Sequence, residues 1–130
     1  MSDFTQLERS VLDAICQTQG GALTGLAELL STAVPVGREN TGHGFYTTYR
    51  ATSATFQSTW RRPIAGPNVR MLGLGEDAMM GFLLWCSEDE SHTLEGFQYG
   101  DATGQTVDLK TFELADLRFR EIAWHPADIL

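Results

Sequence analysis

Three histidines are the side chains best suited to acid–base chemistry in this chain, and they stand far apart at positions 43, 92 and 125. His43 lies between two glycines, which let the backbone take unusual angles and let a ligand approach closely. An imidazole can donate or accept a proton near neutral pH. If the chain has a ligand site, we expect it at residues 42–44. A glycine turn with a solvated His43 is the competing interpretation, and the residues favour it.

Tyr46 and Glu95 would complete such a site. Glu95 lies in a strand-like run, where alternation places it on one face with Phe97 and Tyr99. A carboxylate among apolar neighbours needs a partner, such as an arginine or a tyrosine hydroxyl. The sequence therefore predicts a ligand-binding site of His43, Tyr46 and Glu95. The alternative is that Glu95 faces water or pairs with an arginine.

Several chemistries lack their sequence pattern. The histidines and cysteines are too widely spaced for a recognisable metal site, and the glycines at positions 73 and 75 lack the third glycine of a dinucleotide-binding loop. Cys86, with His92 near it across a hairpin, is a candidate nucleophile, but a cysteine that closes an apolar run is usually a packed hydrophobic residue. We expect no metal and no cofactor, and the absence of a catalytic motif leans against an enzyme.

The charge of the chain restricts its partners. Seventeen acidic residues against nine basic ones give a net charge of −8, and Lys110 is the single lysine. Phosphate backbones and anionic membrane surfaces are bound by clustered basic residues, so we expect no nucleic-acid and no membrane partner. A basic protein partner or a cationic ligand suits the sign better, although the charge also serves solubility alone.

Nothing in the sequence predicts secretion. Asp3 and Glu8 stand where a basic leader segment would be, and no apolar run approaches the roughly 18 residues of a membrane span. Cys16 and Cys86 lie far apart with no motif around them, which is typical of buried thiols in a reducing compartment. We therefore expect a cytoplasmic protein.

The elements that would position these residues begin with helices. Apolar residues at spacings of three and four predict an amphipathic helix over 3–17, where Asp3 and Gln6 resemble a capping box. A shorter helix is predicted over about 23–33, with Thr24 as its N-cap.

After the helices, β-branched and aromatic residues become frequent and predict strands. Strands are expected at 45–50 and 69–74, with a weaker candidate at 55–60 and a loop at 63–68. The final run at 111–122 is predicted to be a strand with a bulge, and a helix over its first half is the alternative. The strongest signal is a central β-hairpin at about 78–99, where two apolar runs flank a short acidic link. We expect Phe82, Leu84 and Leu94 to be buried in it, with cover on both faces of its first strand.

Helices followed by strands favour the α+β class. The sequence thus predicts one or two N-terminal helices packed on a mostly antiparallel sheet, with the hairpin at its centre. At 130 residues, a single domain over 1–130 is expected.

Three segments carry a resemblance to known proteins. They are Thr41-Gly-His-Gly-Phe-Tyr-Thr47, Gly81-Phe-Leu-Leu-Trp85 and Leu94-Glu-Gly-Phe-Gln-Tyr-Gly-Asp101. Over roughly 37–101 this order resembles a group of small uncharacterised bacterial proteins with a helical N-terminus. No catalytic residue comes with the resemblance. Small acidic bacterial proteins of this sort include immunity proteins that bind a toxin, so the resemblance favours an interaction role.

Three functions follow from these observations. The first is a protein-interaction or immunity-like module, supported by the acidic charge and by five aromatic residues that we expect to be exposed. Aromatic side chains are enriched in interface cores, and the five are Phe45, Tyr46, Tyr49, Phe97 and Tyr99. The second is a small-molecule-binding protein or minor enzyme with a pocket near His43 and Glu95. The third is a structural homo-oligomer formed by self-association.

Overall fold

A computed structural model describes residues 3–56, 62–87 and 89–130, and within them two helices precede a six-stranded antiparallel sheet. The helices are α1 (Gln6–Gln19) and α2 (Leu26–Ser31), and the strands are β1 (Val34–Asn40), β2 (Gly44–Arg50), β3 (Ile64–Leu72), β4 (Met79–Trp85), β5 (Ser91–Gly100) and β6 (Arg118–Ala123). Short 3-10 helices lie at Leu109–Thr111, Leu114–Asp116 and Pro126–Asp128. The predicted α+β class is confirmed.

The strand order places the predicted hairpin at the centre of the sheet. The order is β1-β2-β5-β4-β3-β6, so β4 and β5 have neighbours on both sides while β1 and β6 form the edges. β4 and β5 pair directly with each other. The hairpin expected at 78–99 is therefore confirmed, and it is the element around which the other strands add.

The core lies between the helices and one face of this sheet. Phe82, Leu84 and Leu94 are all buried, as the sequence predicted. Phe82 meets Phe45 of β2 in an edge-to-face contact with ring centroids 6.1 Å apart. Phe45 and Tyr49 are buried, so the expectation that they are exposed was wrong: strand alternation turns both of them toward the core. The other face of β4 is only half-buried, so the expectation of full cover on both faces was wrong.

The start of α1 differs from its prediction. Thr5 is the N-cap, and its hydroxyl accepts the Glu8 backbone N–H at 3.1 Å while the Glu8 carboxylate accepts the Thr5 N–H at 2.7 Å. This is the capping box with its usual residue types, so the predicted pair of Asp3 and Gln6 was wrong. α2 is shorter than expected, and Gly25 at φ 85°, rather than Thr24, is its N-cap.

The same Glu8 carboxylate joins α1 to the sheet. It is fully buried and accepts two hydrogen bonds from the Arg38 guanidinium on β1, at 2.8 Å from Nε and 2.5 Å from Nη2. It also accepts a hydrogen bond from the Thr47 hydroxyl on β2. A buried carboxylate needs such compensation, so this cluster fixes the position of α1 over the edge of the sheet.

Two prolines explain why strands were missed. β1 was not predicted, because it contains Pro35, but β1 is an edge strand with a register shift between Pro35 and Gly37, where proline is tolerated. In place of the loop predicted at 63–68, β3 begins at Ile64. Proline is tolerated in this strand because the pairing with β4 is interrupted between Ala65 and Asn68, and Pro67 lies in that interruption.

Two further regions test the weaker predictions. The run 111–122 is a strand only from Arg118, where β6 begins, and the pairing of β6 with β3 contains a register shift of the expected kind. Its first half holds short 3-10 helices instead of a continuous strand or helix. In the weaker candidate at 55–60, Thr55 and Phe56 lie outside any strand, and residues 57–60 are outside the described residues.

Candidate functional site

The open face of the sheet, on the side away from the helices, carries a cluster that we call the aromatic patch. Strand alternation turns one set of side chains of β2, β4 and β5 toward the helices and the other set away from them. The patch consists of the outward set at the centre of the sheet: Tyr46, Leu83, Trp85, Glu95, Phe97 and Tyr99. Tyr46 is 38% exposed and Tyr99 is 56% exposed, while the other members are half-buried.

Strand register brings the polar atoms of the patch together. Glu95 on β5 lies directly opposite Tyr46 on β2 and directly opposite Leu83 on β4. Trp85 lies two residues along β4 from Leu83, which makes it a diagonal neighbour of Glu95 within reach of a long side chain. The Trp85 indole N–H donates a hydrogen bond of 2.9 Å to Glu95 Oε1.

Tyr46 is the second polar residue beside the Glu95 carboxylate, because it lies directly opposite Glu95 on β2. The negative charge of Glu95 is the main cause that raises the pKa of Tyr46 above its ordinary value, followed by desolvation, while the charge of Glu39 contributes least. A carboxylate can accept about four hydrogen bonds. With the Trp85 indole as its donor, Glu95 keeps acceptor capacity for a further group.

We expect the Glu95→Gln variant to lower the pKa of Tyr46 toward its ordinary value, because the variant removes the largest cause of the shift. Glu39→Gln is the matched control and should lower this pKa less, since the charge of Glu39 is the smallest cause. The measurement is a pH titration of the tyrosine ring carbons by NMR, assigned with Tyr46→Phe. Equal effects of the two variants would contradict the contact between Tyr46 and Glu95.

Gly81 lets the aromatic rings lie close to the sheet. A Cβ added at Gly81 would lie only 2.6 Å from the ring of Phe97 and 2.8 Å from the ring of Tyr99. These two rings meet edge to face with centroids 5.3 Å apart. The patch therefore has a defined shape, in which two rings lie over a glycine beside a carboxylate.

His43 occupies a different position from its predicted companions. It lies in the turn between β1 and β2, opposite Gln98, and its carbonyl oxygen accepts hydrogen bonds from the backbone N–H and the side-chain amide of Gln98 at 3.3 and 3.1 Å. Gly42 has a φ of 88°, as the predicted glycine turn requires. The His43 side chain is exposed and, within the described part of the chain, makes no hydrogen bond or ion pair. The structure thus brings Tyr46 and Glu95 together, and a role for His43 stays a prediction.

Cys86 and His92 are both buried, but their surroundings favour a structural role over catalysis. His92 Nδ1 accepts the Ser87 N–H at 3.1 Å, and Nε2 lies 3.2 Å from the carbonyl oxygen of Ala51, so both ring nitrogens are occupied by backbone groups. Burial raises the pKa of the Cys86 thiol to about 11. A thiol that is protonated at neutral pH is a poor nucleophile, which argues against the catalytic pair.

Other kinds of site were sought in the described ranges. There, no group of three His, Cys, Asp or Glu side chains is arranged to hold a metal ion. In the same ranges, no helix has the length and apolar character needed to cross a membrane.

The comparisons with known proteins do not assign the aromatic patch to a family. No protein-family model matches the chain, and neither a curated protein nor a solved structure is significantly similar to it.

Proposed function

We propose that this chain is a protein-interaction module that presents the open face of its sheet to a partner protein. The aromatic patch is the observation that carries this proposal. Interface cores are enriched in tyrosine, tryptophan and phenylalanine, and here four such side chains lie side by side on one sheet face instead of in the core. Clustered exposed apolar surface of this kind marks interaction sites.

Charge defines the class of partner. The net charge is −8, and the polar centre of the patch is the Glu95 carboxylate. A basic protein complements both features, because complementary charges speed association and exclude wrong partners. An acidic protein that covers a basic partner is the immunity-like role, and Cys16 and Cys86, which form no disulfide in the described ranges, suit a cytoplasmic location.

A small-molecule site at His43, Tyr46 and Glu95 is the second proposal, and the contact between Tyr46 and Glu95 supports it. Ligand pockets usually enclose most of the ligand, whereas this contact lies on an open sheet face. One cavity, of about 310 Å³ between α1 and α2, is lined by other residues such as Leu12, Cys16 and Leu30. Partner binding therefore explains the patch better.

Self-association through the patch is disfavoured by charge. A symmetric dimer would bring the two Glu95 carboxylates of the patches toward each other, between chains that each carry −8. Like charges brought together across an interface cost several kcal/mol. A homo-oligomer of this face is thus the weakest of the three functions.

Site-specific photo-crosslinking in cells that naturally produce the chain tests the proposal. We expect p-benzoylphenylalanine at position 99 to crosslink to one discrete basic protein, because Tyr99 is the most exposed member of the patch. The same group in place of Phe112, an exposed aromatic residue outside the sheet, is the matched control. Crosslinks that do not differ between the two positions, or that join only two copies of this chain, would overturn the proposal.

A further inference from the structure

We infer that Glu95, Trp85 and Tyr46 form a receptor for one cationic side chain, an arginine or lysine, of the partner protein. This inference rests on the proposed function and names the group that the patch recognises. Its basis is the combination of a half-buried carboxylate with aromatic side chains on both neighbouring strands.

The Trp85 indole holds the Glu95 carboxylate in place without neutralising it. The indole is a neutral donor, so its hydrogen bond of 2.9 Å leaves the charge of Glu95 intact, and the residue directly opposite Glu95 on β2 is Tyr46, also a neutral group. An anion held by a neutral donor, with acceptor sites to spare, can accept charge-assisted hydrogen bonds from a guanidinium or ammonium group.

The aromatic rings favour the same kind of ligand. A cation over the face of a tryptophan, tyrosine or phenylalanine is attracted by the negative potential of the ring. Trp85 and Tyr46 flank Glu95 from the strands on either side of β5, and Phe97 follows Glu95 on the same face of β5. The patch thus places a carboxylate and aromatic side chains at neighbouring positions of the sheet.

Arg50 and Arg70, two arginines of the described strands, lie away from Glu95 and have other partners. Arg50 lies opposite Ser91, four residues along the strand from the Tyr46–Glu95 pair, a distance of roughly 13 Å at the rise of a strand. Its guanidinium is 3.8 Å from Glu90. Arg70, two strands from β5, forms ion pairs with Asp77 and Glu121. Within the described ranges, no ion pair joins Glu95 to an arginine, a lysine or a histidine.

A peptide titration tests this receptor directly. The probe is acetyl-Gly-Arg-Gly-amide, and its control is the same peptide with citrulline, which has nearly the shape of arginine but no charge. We expect the arginine peptide to shift the Trp85 indole N–H signal in a saturable way, whereas the citrulline peptide should bind at least about tenfold more weakly because it lacks the charge. The Trp85 signal is assigned with Trp85→Phe.

Two variants of equal charge separate recognition from general attraction. Glu95→Gln should weaken binding of the arginine peptide by about tenfold or more. Glu39→Gln removes the same charge from the exposed residue opposite Tyr46 and should weaken binding by less than about twofold at physiological salt, because exposed charges are screened. Equal weakening by both variants, or equal binding of both peptides, would overturn the receptor.

The outcome is independent of the crosslinking result. A chain that crosslinks a partner at position 99 but ignores the arginine peptide would keep the proposed function and lose the receptor. A chain that binds the peptide through Glu95 but crosslinks no partner would keep a cation site and lose the interaction module. The two failures are therefore distinguishable.

Discussion

The Arg38→Met variant is expected to lose about 3–5 kcal/mol of unfolding free energy, because it leaves the Glu8 carboxylate buried without its cation. Glu8 is fully buried, and the side chain of Arg38 is 16% exposed. Methionine retains much of the aliphatic volume of arginine, so the loss reports on charge and hydrogen bonding rather than on packing. Urea unfolding followed by circular dichroism measures it.

Arg9→Met is the matched control for this variant. Arg9 lies 3.8 Å from Asp3, and both side chains are well exposed at 59% and 80%. Exposed pairs contribute about 0–1 kcal/mol, so Arg9→Met should change the unfolding free energy by no more than that. A loss for Arg38→Met within this same small range would contradict the buried pair.

Removing the charge of Glu8 as well should restore part of the unfolding free energy that Arg38→Met loses. In Glu8→Gln/Arg38→Met the amide oxygen can still accept the Thr5 N–H of the helix cap, while no uncompensated charge remains in the core. We expect the double variant to be more stable than Arg38→Met alone, a result that additive losses cannot produce. A double variant less stable than Arg38→Met would show that the carboxylate itself stabilises α1.

The hairpin could be predicted from the sequence because its signal is local. A run of apolar residues, a polar link and a second alternating run lie within about 20 residues, as a short-range pattern requires. The same alternation correctly placed Glu95, Phe97 and Tyr99 on one face. β1 and the start of β3 could not be predicted in this way, because their prolines are tolerated only at an edge and at an interruption of pairing that the finished sheet defines.

The candidate site was predictable in part. A tyrosine was among the partners expected for Glu95, and Tyr46 lies directly opposite Glu95 on β2. Trp85 was missed because its contact with Glu95 depends on the exact register of β4 against β5. A hairpin folded about residue 89, the middle of the acidic link, pairs Leu83 with Glu95. This register makes Trp85 a diagonal neighbour of Glu95, so the symmetry of the hairpin is the sequence signal that could have identified Trp85.

The Glu8–Arg38 pair had no sequence signal of this kind. The two residues are 30 positions apart, and the carboxylate had first to be recognised as part of the helix cap. His43 is a different case. Its glycines mark a turn, as the favoured interpretation held, and their conformation says nothing about a ligand for the imidazole.

Leu84→Ala is expected to lose about 2–5 kcal/mol of unfolding free energy, the range for large-to-small changes in a packed core. Leu84 is fully buried in β4 and lies opposite Ile64 of β3 and Leu94 of β5, both of which are also buried. No neighbour in the middle of a sheet can easily move to fill the cavity. Chemical denaturation measures the loss.

Leu83→Ala is the matched control, and it tests whether the open face of β4 is a surface or part of the core. Leu83 is the preceding residue, has the same side chain, and lies on the open face opposite Glu95, where it is half-buried. Its loss should be less than half that of Leu84→Ala, because less apolar area leaves water there on folding. Equal losses would mean that both faces of β4 are core, and the aromatic patch would then be interior packing instead of a surface for a partner. A clear difference between these two neighbours would leave the open face available for binding.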